Sequence, residues 1–296
     1  MEKQVKHNYE MIEYNLSAHG QAYFEISKVP HSYVSLHWHD AVEVISVLEG
    51  ELSVTADQQE YRLHAGNCII LNPYILHSTI STNGNMSLLL QIPIHAFEDC
   101  FGAFVNRQLS CDPLTTDPAR QRQLDRITEL LRKMMEQELS GDPASRLRSM
   151  GFLMELIYEL YTHFSYPVSE AAFAQSRKNR ERLSAVIAYT EAHYSESVSL
   201  DAVAGELHLQ TNYFCHFFKK NTGMTYQSYL TEYRLAKVYH DLIVTDIPLK
   251  HLLERHGFTN YKKFRQSFYE RFQTTPGAVR GIQKAGPECI APQGIS

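Results

Sequence analysis

Two histidines and a carboxylate recur near residue 40, in the order His37-Trp38-His39-x3-Glu43. Because successive side chains of a β-strand point to opposite faces, His37 and His39 share one face, and Glu43 joins them if the strand stays regular. Imidazole nitrogens and carboxylate oxygens bind divalent transition metals, and the same groups hydrogen bond to small polar molecules. The spacing therefore predicts a small polar site on one face of a strand.

A second set of informative residues lies on two helical segments in the last third of the chain. Aromatic residues three or four apart are predicted to face the core; they are Phe214, Phe217 and Phe218 in the first segment and Phe264 and Phe268 in the second. The opposite faces carry groups that hydrogen bond to the edges of DNA bases. These candidate base contacts are Thr211, Asn212, Cys215 and His216, followed by Tyr261, Lys262, Arg265 and Gln266.

Asn212 and Arg265 are the strongest candidates for reading bases. Asparagine pairs bidentately with adenine and arginine with guanine, and each pair contributes about 1–3 kcal/mol of discrimination. Nearby cations would instead neutralise phosphates, which adds affinity without sequence choice; they are Lys219, Lys220, Lys263 and Arg271. For each single residue the alternative is the solvated face of an ordinary amphipathic helix.

The first part of the chain reads as strands and the middle as helices. From Gln21 to about Ile94, β-branched and aromatic runs alternate with turn residues, which is typical of a small β-barrel or sandwich. Apolar residues then recur at helical spacing over residues 119–139, and a second helical stretch carries apolar residues from 152 to 161. Small polar residues around Pro167 predict an interdomain linker.

The remaining segment, to about residue 280, has a helical pattern throughout. Ser199 has the residue type of a helix N-cap, and Gly223 follows the helix that starts at Thr211, as a glycine past a C-terminus does. A helix of about five turns, from Tyr226 to Val244, joins two small helical units. Two helix-turn-helix patterns in tandem predict DNA binding, because each can place a helix in the major groove.

Composition fits a DNA-binding protein once it is divided along the chain. The 296 residues are 44% hydrophobic, enough for two cores, with a net charge of −5. Residues 1–176 contain 12 Lys+Arg and 22 Asp+Glu, whereas residues 177–280 contain 15 and 10, so the positive charge is local to the second half. The five cysteines include no C-x-x-C pair, which favours neither a disulfide framework nor a cysteine zinc site. Without a signal-type or long apolar run, we expect a cytoplasmic protein with no membrane partner.

The C-terminal hundred residues resemble the DNA-binding region of the AraC/XylS family of bacterial regulators. The resemblance implies a sequence-specific transcription regulator, more often an activator, whose recognition helices begin at Thr211 and Asn260. It rests on Phe214-x3-Phe218-Lys219-Lys220-x2-Gly223-Met224-Thr225, on Tyr229-Leu230-x3-Arg234-Leu235-x2-Val238, and on Gly257-Phe258-x5-Phe264-x3-Phe268 through Thr275-Pro276-x3-Arg280.

Several positions depart from that family's pattern. His208 and Gln273 stand where the family usually has glycine, and Leu253 replaces a small alanine between two helices. Tyr269 and Glu270 replace a basic pair, so the second unit is less basic than usual. We therefore predict that the first unit contributes more of the base reading and that the second mainly holds the DNA backbone.

The front half resembles the two cupin motifs, in His37-Trp38-His39-x3-Glu43-x6-Gly50 and from Gly66 through Pro73 to His77. In metal-binding cupins the matching positions converge inside the barrel, where three imidazoles and a carboxylate could hold a divalent transition metal. Ile75 stands where those cupins usually have glycine, which favours a metal-free pocket for a small effector such as a sugar. The metal candidates are His37, His39, Glu43 and His77, and the effector-pocket candidates add Tyr23, Tyr33 and Tyr74.

The sequence thus predicts a two-domain α+β protein. A cupin-like β-barrel with flanking helices would bind the effector and dimerise (residues 1–165), and a linker (166–179) would lead to an all-α double helix-turn-helix (180–282) and a tail (283–296). Expected partners are double-stranded DNA, the effector and a second copy of the chain, with RNA polymerase as a further candidate. The 119–139 stripe either packs on the barrel or, as the resemblance favours, forms the dimer interface.

Two other functions fit parts of the sequence. One is a metal-dependent cupin enzyme with an accessory helical domain, and the other is a constitutive DNA-binding dimer without an effector. We favour the effector-controlled regulator, without catalytic residues, because the double helix-turn-helix pattern is complete whereas the cupin motif is imperfect.

Overall fold

The computed structural model describes residues 9–15, 21–29, 32–57, 59–81, 83–94, 96–97 and 106–285. The chain divides into two compact units, of which the first ends at Arg180 and the second begins at Glu181. Within the described residues, no helix combines the length and apolar character needed to cross a membrane.

The first unit is built on a curled antiparallel sheet. Its strand order is β1-β2-β8-β4-β7-β3, and β5 and β6 also pair with β4. A separate two-stranded sheet joins β9 and β10. The strands are β1 (Tyr9–Asn15), β2 (Gln21–Val29), β3 (Ser32–His37), β4 (Ala41–Ala56), β5 (Gln59–His64), β6 (Cys68–Leu71), β7 (His77–Ser81), β8 (Asn85–Pro93), β9 (Arg107–Leu109) and β10 (Ser165–Pro167).

Strand β4 organises this sheet because it changes partners along its 16 residues. Its first part pairs with β6 and β8, and its last part pairs with β5 and β7. The change follows a register shift between Val47 and Glu49, and a bulge of this kind bends a strand. Gly50 next to it has φ +76°, and a Cβ there would lie 2.3 Å from the Gly84 carbonyl oxygen, so only glycine fits.

The two faces of the sheet enclose different cores. Val42 and Val44 of β4 pack in a cluster with the helices that follow the sheet. Ile45 and Val47 belong to a second cluster with strands β5 and β6. Residue 43, between these two sets, points to the same inner face as Ile45.

Helices α1 (Pro118–Leu139) and α2 (Ser145–Glu159) cover the outer face. The predicted 119–139 helix is confirmed, but the preference for its apolar stripe as a dimer interface is wrong. The stripe is buried within the chain, against the sheet and α2, as the alternative of packing on the barrel required. Its buried members are Leu124, Ile127, Leu130, Leu131 and Met134.

The segment predicted as a linker is largely helical. A π-helical turn (Leu160–Phe164) and β10 lead into α3 (Glu170–His193). The Ser169 hydroxyl accepts a hydrogen bond from the Ala172 amide, as a helix cap does. Residues 170–180 are rich in alanine, glutamate, glutamine, arginine and lysine, which are strong helix formers, so propensity outweighed their small, polar character.

The second unit is all-helical among the described residues. Its elements after α3 are α4 (Leu200–Glu206), α5 (Thr211–Thr222), α6 (Tyr226–Val244), α7 (Leu249–Arg255), α8 (Tyr261–Phe272) and α9 (Pro276–Ala285). Ser199 caps α4 by accepting a hydrogen bond from the Ala202 amide, and Gly223 follows α5 with φ +79°, as predicted. The predicted span of α6 is confirmed at both ends.

The two helix pairs, α4–α5 and α7–α8, repeat one geometry. In the first turn His208 has φ +52°, and the Leu209 amide donates to the Ala204 carbonyl at 2.9 Å. In the second, Gly257 has φ +74°, and the Phe258 amide donates to the Leu253 carbonyl at 2.8 Å. The left-handed turn that favours glycine is therefore kept at residue 208 although histidine occupies it.

Candidate functional site

The three histidines and the glutamate singled out in the sequence meet at the inner face of the sheet. His37 ends β3, His39 lies in the connection to β4, Glu43 is on β4 and His77 begins β7. One ligand atom from each of the four lies within 4.8 Å of the others. Three imidazoles and one carboxylate at this separation could hold a divalent transition metal ion.

Glu43 is the most enclosed charged member of this histidine–glutamate cluster, with 2% of its surface exposed. Burial alone would raise the pKa of its carboxyl, but the imidazoles of His39 and His77 hold that pKa well below its usual range. The His39 Nε2 lies 2.8 Å from Oε2 of the carboxylate, and the His77 Nε2 lies 3.4 Å from Oε1. A carboxylate held ionised inside a sheet is suited to bind a cation or a hydrogen-bond donor.

His77 is fixed by the backbone two residues before it. Its Nδ1 lies 2.7 Å from the Ile75 carbonyl oxygen, which can only accept a hydrogen bond, so Nδ1 carries a proton. The Nε2 atom is buried and makes no hydrogen bond within the described residues. Burial lowers the pKa of His77, and the neighbouring Glu43 raises it, with the rise prevailing.

Gln91 is a member of this site that the sequence analysis missed. Its amide nitrogen donates to Glu43 Oε2 at 2.6 Å and lies 3.2 Å from His39 Nε2. Strand register explains its position, since Gln91 on β8 is opposite Glu43 on β4 and opposite Tyr23 on β2. Directly opposed residues share a face, so the predicted pocket residue Tyr23 lies in the same row, beyond Gln91.

The other predicted pocket aromatics lie beside the cluster. The Tyr74 amide donates to the His39 carbonyl at 2.7 Å, and the Tyr74 ring lies 5.1 Å from the Trp38 ring, centroid to centroid. The Arg180 guanidinium covers the Tyr74 ring at 4.6 Å, a cation–π geometry. The Tyr33 hydroxyl is buried. The structure thus unites the four polar residues and places Tyr74 next to them through the backbone.

The predicted base contacts of the first unit lie on α5, opposite its aromatic core. Phe214, Phe217 and Phe218 are buried as predicted, whereas Asn212 and His216 are exposed. Thr211 and Cys215 are partly exposed, and the Thr211 hydroxyl donates to the Asp201 carboxylate. The predicted phosphate contacts Lys219 and Lys220 are exposed in the last turn.

Helix α8 of the second unit has the same division. Phe264 and Phe268 are buried. Asn260 caps the helix by accepting a hydrogen bond from the Lys263 amide, which orients its first turn. Tyr261, Lys262, Lys263, Arg265 and Gln266 are exposed, and all except Lys263 line a shallow depression of about 370 Å³.

Gln266 and Arg271 have partners inside the protein. The Gln266 amide donates to the Glu270 carboxylate at 2.9 Å. Arg271 is only 21% exposed and lies 3.1 Å from the Glu232 carboxylate of α6. Its charge is therefore engaged within the unit, which weighs against its predicted role as a phosphate contact.

Two family descriptions match this chain on the two units. "AraC-like ligand binding domain" matches residues 19–157, and "Helix-turn-helix domain" matches residues 203–281. The pair defines a transcription regulator with an effector-binding domain and a DNA-binding domain. The chain belongs to the AraC family, and the predicted architecture of a cupin-like sheet followed by a helical DNA-binding domain is confirmed.

Individual relatives cover most of the chain at low identity. The HTH-type transcriptional activator RhaS of Shigella boydii is 24% identical over 261 residues, which are 86% of this chain and 90% of that protein. The crystal structure of apo ToxT from Vibrio cholerae covers 88% of this chain and 97% of its own, with 11% identity and a TM-score of 0.44. An RmlC-like cupin from Shewanella frigidimarina covers 29% and 74%, with 22% identity and a TM-score of 0.26.

Proposed function

We propose that this AraC family chain is a cytoplasmic activator that reads DNA with α5 and α8 and responds to a small molecule bound at the histidine–glutamate cluster. The observation that carries the proposal is the repeated helix-turn-helix geometry, in which both second helices bury an aromatic face and expose a polar one. Exposed amide, imidazole and guanidinium groups on such helices suit direct reading of the major groove. RNA polymerase remains a proposed further partner.

Within this proposal, the first unit contributes most of the base discrimination. Asn212 is exposed and near the start of α5, where helix-turn-helix proteins contact bases. In α8, by contrast, Gln266 is paired with Glu270, and the Arg265 guanidinium lies 6.0 Å from the Tyr261 ring centre. Lys219, Lys220 and Lys263 are assigned to phosphates, and Arg271 is not.

Selection of bound sequences from random DNA, followed by footprinting, tests this function. We expect an operator with two half-sites for each pair of chains, protected on successive major-groove turns. Failure of the full-length chain to select any sequence at physiological salt would overturn the assignment. Thermal-shift screening of sugars and related metabolites on the full chain tests the effector, with Glu43→Gln as the variant that loses the response.

We also propose that two chains associate through the exposed face of α2. Leu147 is 79% exposed and Tyr158 is 61% exposed. Gly151 and Met154 lie between them on the same helical stripe, and Gly151 faces open space. The stripe of α1 is already covered, so this α2 stripe is the apolar helix face left for a partner among the described residues.

The α2 stripe fits a second copy of itself in an antiparallel arrangement. A two-fold axis between residues 152 and 153 places Leu147 of one chain on Tyr158 of the other, and Gly151 on Met154, so large groups meet smaller ones. On one flank, Arg148 approaches Glu155 of the second chain, which pairs opposite charges twice. This self-complementarity favours a homodimer over a different partner protein.

The alternative of a metal-dependent cupin enzyme rests on the same cluster. Both family descriptions and the RhaS relative instead point to regulation. The constitutive DNA-binding dimer is distinguished by the thermal-shift screen, because a barrel that serves only dimerisation would bind no metabolite.

A further inference from the structure

We propose that His37, His39, Glu43 and His77 form a divalent transition-metal centre in this regulator, with Gln91 as the residue that positions its carboxylate. The inference deepens the proposed function, since the ion would be the part of the effector site that ligand atoms contact. It reverses the preference for a metal-free pocket, which rested on Ile75 and on the spacing of the second motif.

The first argument is the tautomer of His77. With the proton held on Nδ1 by the Ile75 carbonyl, the neutral ring presents a bare lone pair at Nε2. That lone pair is buried 3.4 Å from the ionised Glu43 Oε1, so two acceptors face one another. Such a contact is favourable only with a cation or a second proton between the two atoms.

The second argument is the completeness of the donor set. The four ligand atoms lie within 4.8 Å of one another and come from three separate strands and a connection, so the sheet brings them together before any ion binds. Three neutral imidazoles and one carboxylate are the donors that Mn²⁺, Fe²⁺, Ni²⁺ and Zn²⁺ share. Ligand rings fixed by a backbone carbonyl, as His77 is, are typical of metal sites.

The third argument concerns the surroundings of the carboxylate. The Gln91 amide donates to Oε2 at 2.6 Å, so it orients the carboxylate while Oε1 faces His77. His39 is the ligand that must adjust, because its Nε2 lies 2.8 Å from Oε2 and its Nδ1 accepts a 3.3 Å bond from the Ala41 amide. Metal binding would release the His39 Nε2 proton and replace that hydrogen bond with coordination.

The ligands that the ion would offer to an effector follow from this coordination. Four protein donors leave one or two positions of a five- or six-coordinate ion open. His37 and His39 are partly exposed, whereas Glu43 and His77 are buried, so the open side lies at the two former residues. Oxygen chelators fit there, such as the neighbouring hydroxyls of a sugar or the hydroxyl and carboxylate of a hydroxy acid.

The test uses the full-length, untagged chain stripped with a chelator and then loaded with Mn²⁺, Ni²⁺, Zn²⁺ or Co²⁺ alone. Elemental analysis after gel filtration gives the stoichiometry, and the visible absorption of bound Co²⁺ reports the ligand set. We expect about one ion per chain. The matched control is His64→Ala, which removes an exposed histidine located 3.6 Å from Glu51, outside the cluster.

Glu43→Gln and His77→Gln are expected to weaken binding at least about tenfold, and Gln91→Leu to weaken it by about 10–100-fold as a positioning residue, while His64→Ala binds normally. His37→Asn, at a partly exposed position, serves if the buried variants fail to fold. Substoichiometric metal in the wild type, or equal binding in Glu43→Gln and His64→Ala, would overturn the proposal and leave a proton as the cation between His77 and Glu43. DNA selection by the same preparations reports separately on the proposed function.

Discussion

The guanidinium of Arg271 on α8 lies 3.1 Å from the carboxylate of Glu232 on α6, and both side chains are mostly shielded from solvent. This pair joins the second reading helix to the helix between the two units. Burial raises the pKa of Glu232, which Arg271 opposes by favouring the charged form. A basic residue on a DNA-reading helix can therefore act in positioning that helix rather than in touching phosphate.

Replacing Arg271 should affect stability more than electrostatic DNA binding. We expect Arg271→Ala to lower the free energy of unfolding by about 1–2 kcal/mol, between the values of exposed and buried ion pairs. Lys219→Ala should leave stability unchanged and reduce the slope of log affinity against log salt by about 0.9, the value for one lost phosphate contact. Binding titrations at several salt concentrations distinguish the two, and a reduced slope for Arg271→Ala would restore it as a phosphate contact.

The division of labour between the two units is tested by paired substitutions. We expect Asn212→Ala to lose about 1–3 kcal/mol of discrimination between the selected operator and single-base variants. Arg265→Ala should lose overall affinity with a smaller change in discrimination. Footprinting of both proteins on a set of operator variants measures the difference, and a larger specificity loss for Arg265→Ala contradicts the assignment.

A charge placed in the α2 stripe should separate the dimer. Leu147→Glu combined with Tyr158→Glu would bury like charges opposite one another in the antiparallel pair, so we expect only monomer at micromolar concentration by sedimentation equilibrium. Leu139→Glu is the matched control, since Leu139 is 61% exposed but lies on α1 outside the stripe. A dimer that survives the double change, or a monomeric wild type with and without ligand, excludes this interface.

His256 should make the second unit less stable in acid. It is 3% exposed; its Nε2 lies 2.9 Å from Asp241, and its Nδ1 lies 3.2 Å from the Tyr194 hydroxyl. Burial lowers its pKa below the ordinary 6.5, and Arg255 and Lys237 contribute to the lowering, whereas Asp241 opposes it. The folded chain thus binds this proton less readily than the unfolded chain does.

The stabilising effect is complete above about pH 6.5 and is lost as pH falls towards the folded-state pKa. Denaturant unfolding followed by circular dichroism should show a steeper decline below pH 6.5 for the wild type than for His256→Gln. Parallel curves for the two proteins would show that another group dominates. His256→Gln itself should be less stable at neutral pH, since the amide only partly replaces the two hydrogen bonds.

Gln273 occupies a backbone conformation that favours glycine. Its φ is +51°, its side chain is exposed, and its amide donates to the Tyr269 carbonyl at 2.9 Å. We expect Gln273→Gly to raise the free energy of unfolding by up to about 1 kcal/mol, because relief of left-handed strain exceeds the entropy lost by glycine. Gly223→Ala, at the matching end of α5 with φ +79°, should have the opposite effect. Thermal melts measure both, and a destabilised Gln273→Gly would contradict this account.

The sequence alone determined what depends on neighbours along the chain. Ser199 and Gly223 mark helix ends through bonds to residues within four positions, so their types suffice to predict them. Aromatic spacing likewise separated the buried and exposed faces of α5 and α8, because a helix imposes its own period. His37, His39 and Glu43 were predictable as one set for the same reason, through alternation along nearby backbone.

Only the tertiary structure decided what depends on distant partners. Gln91 enters the cluster through cross-strand register with Glu43, 48 residues away, which no local pattern encodes. The α1 stripe looks the same in sequence whether it meets a second chain or its own sheet and α2, and the fold chose the latter. Arg271 reads as a DNA contact until Glu232 is placed beside it. Periodicity specifies which face is apolar or charged, whereas the partner of that face is set by long-range packing.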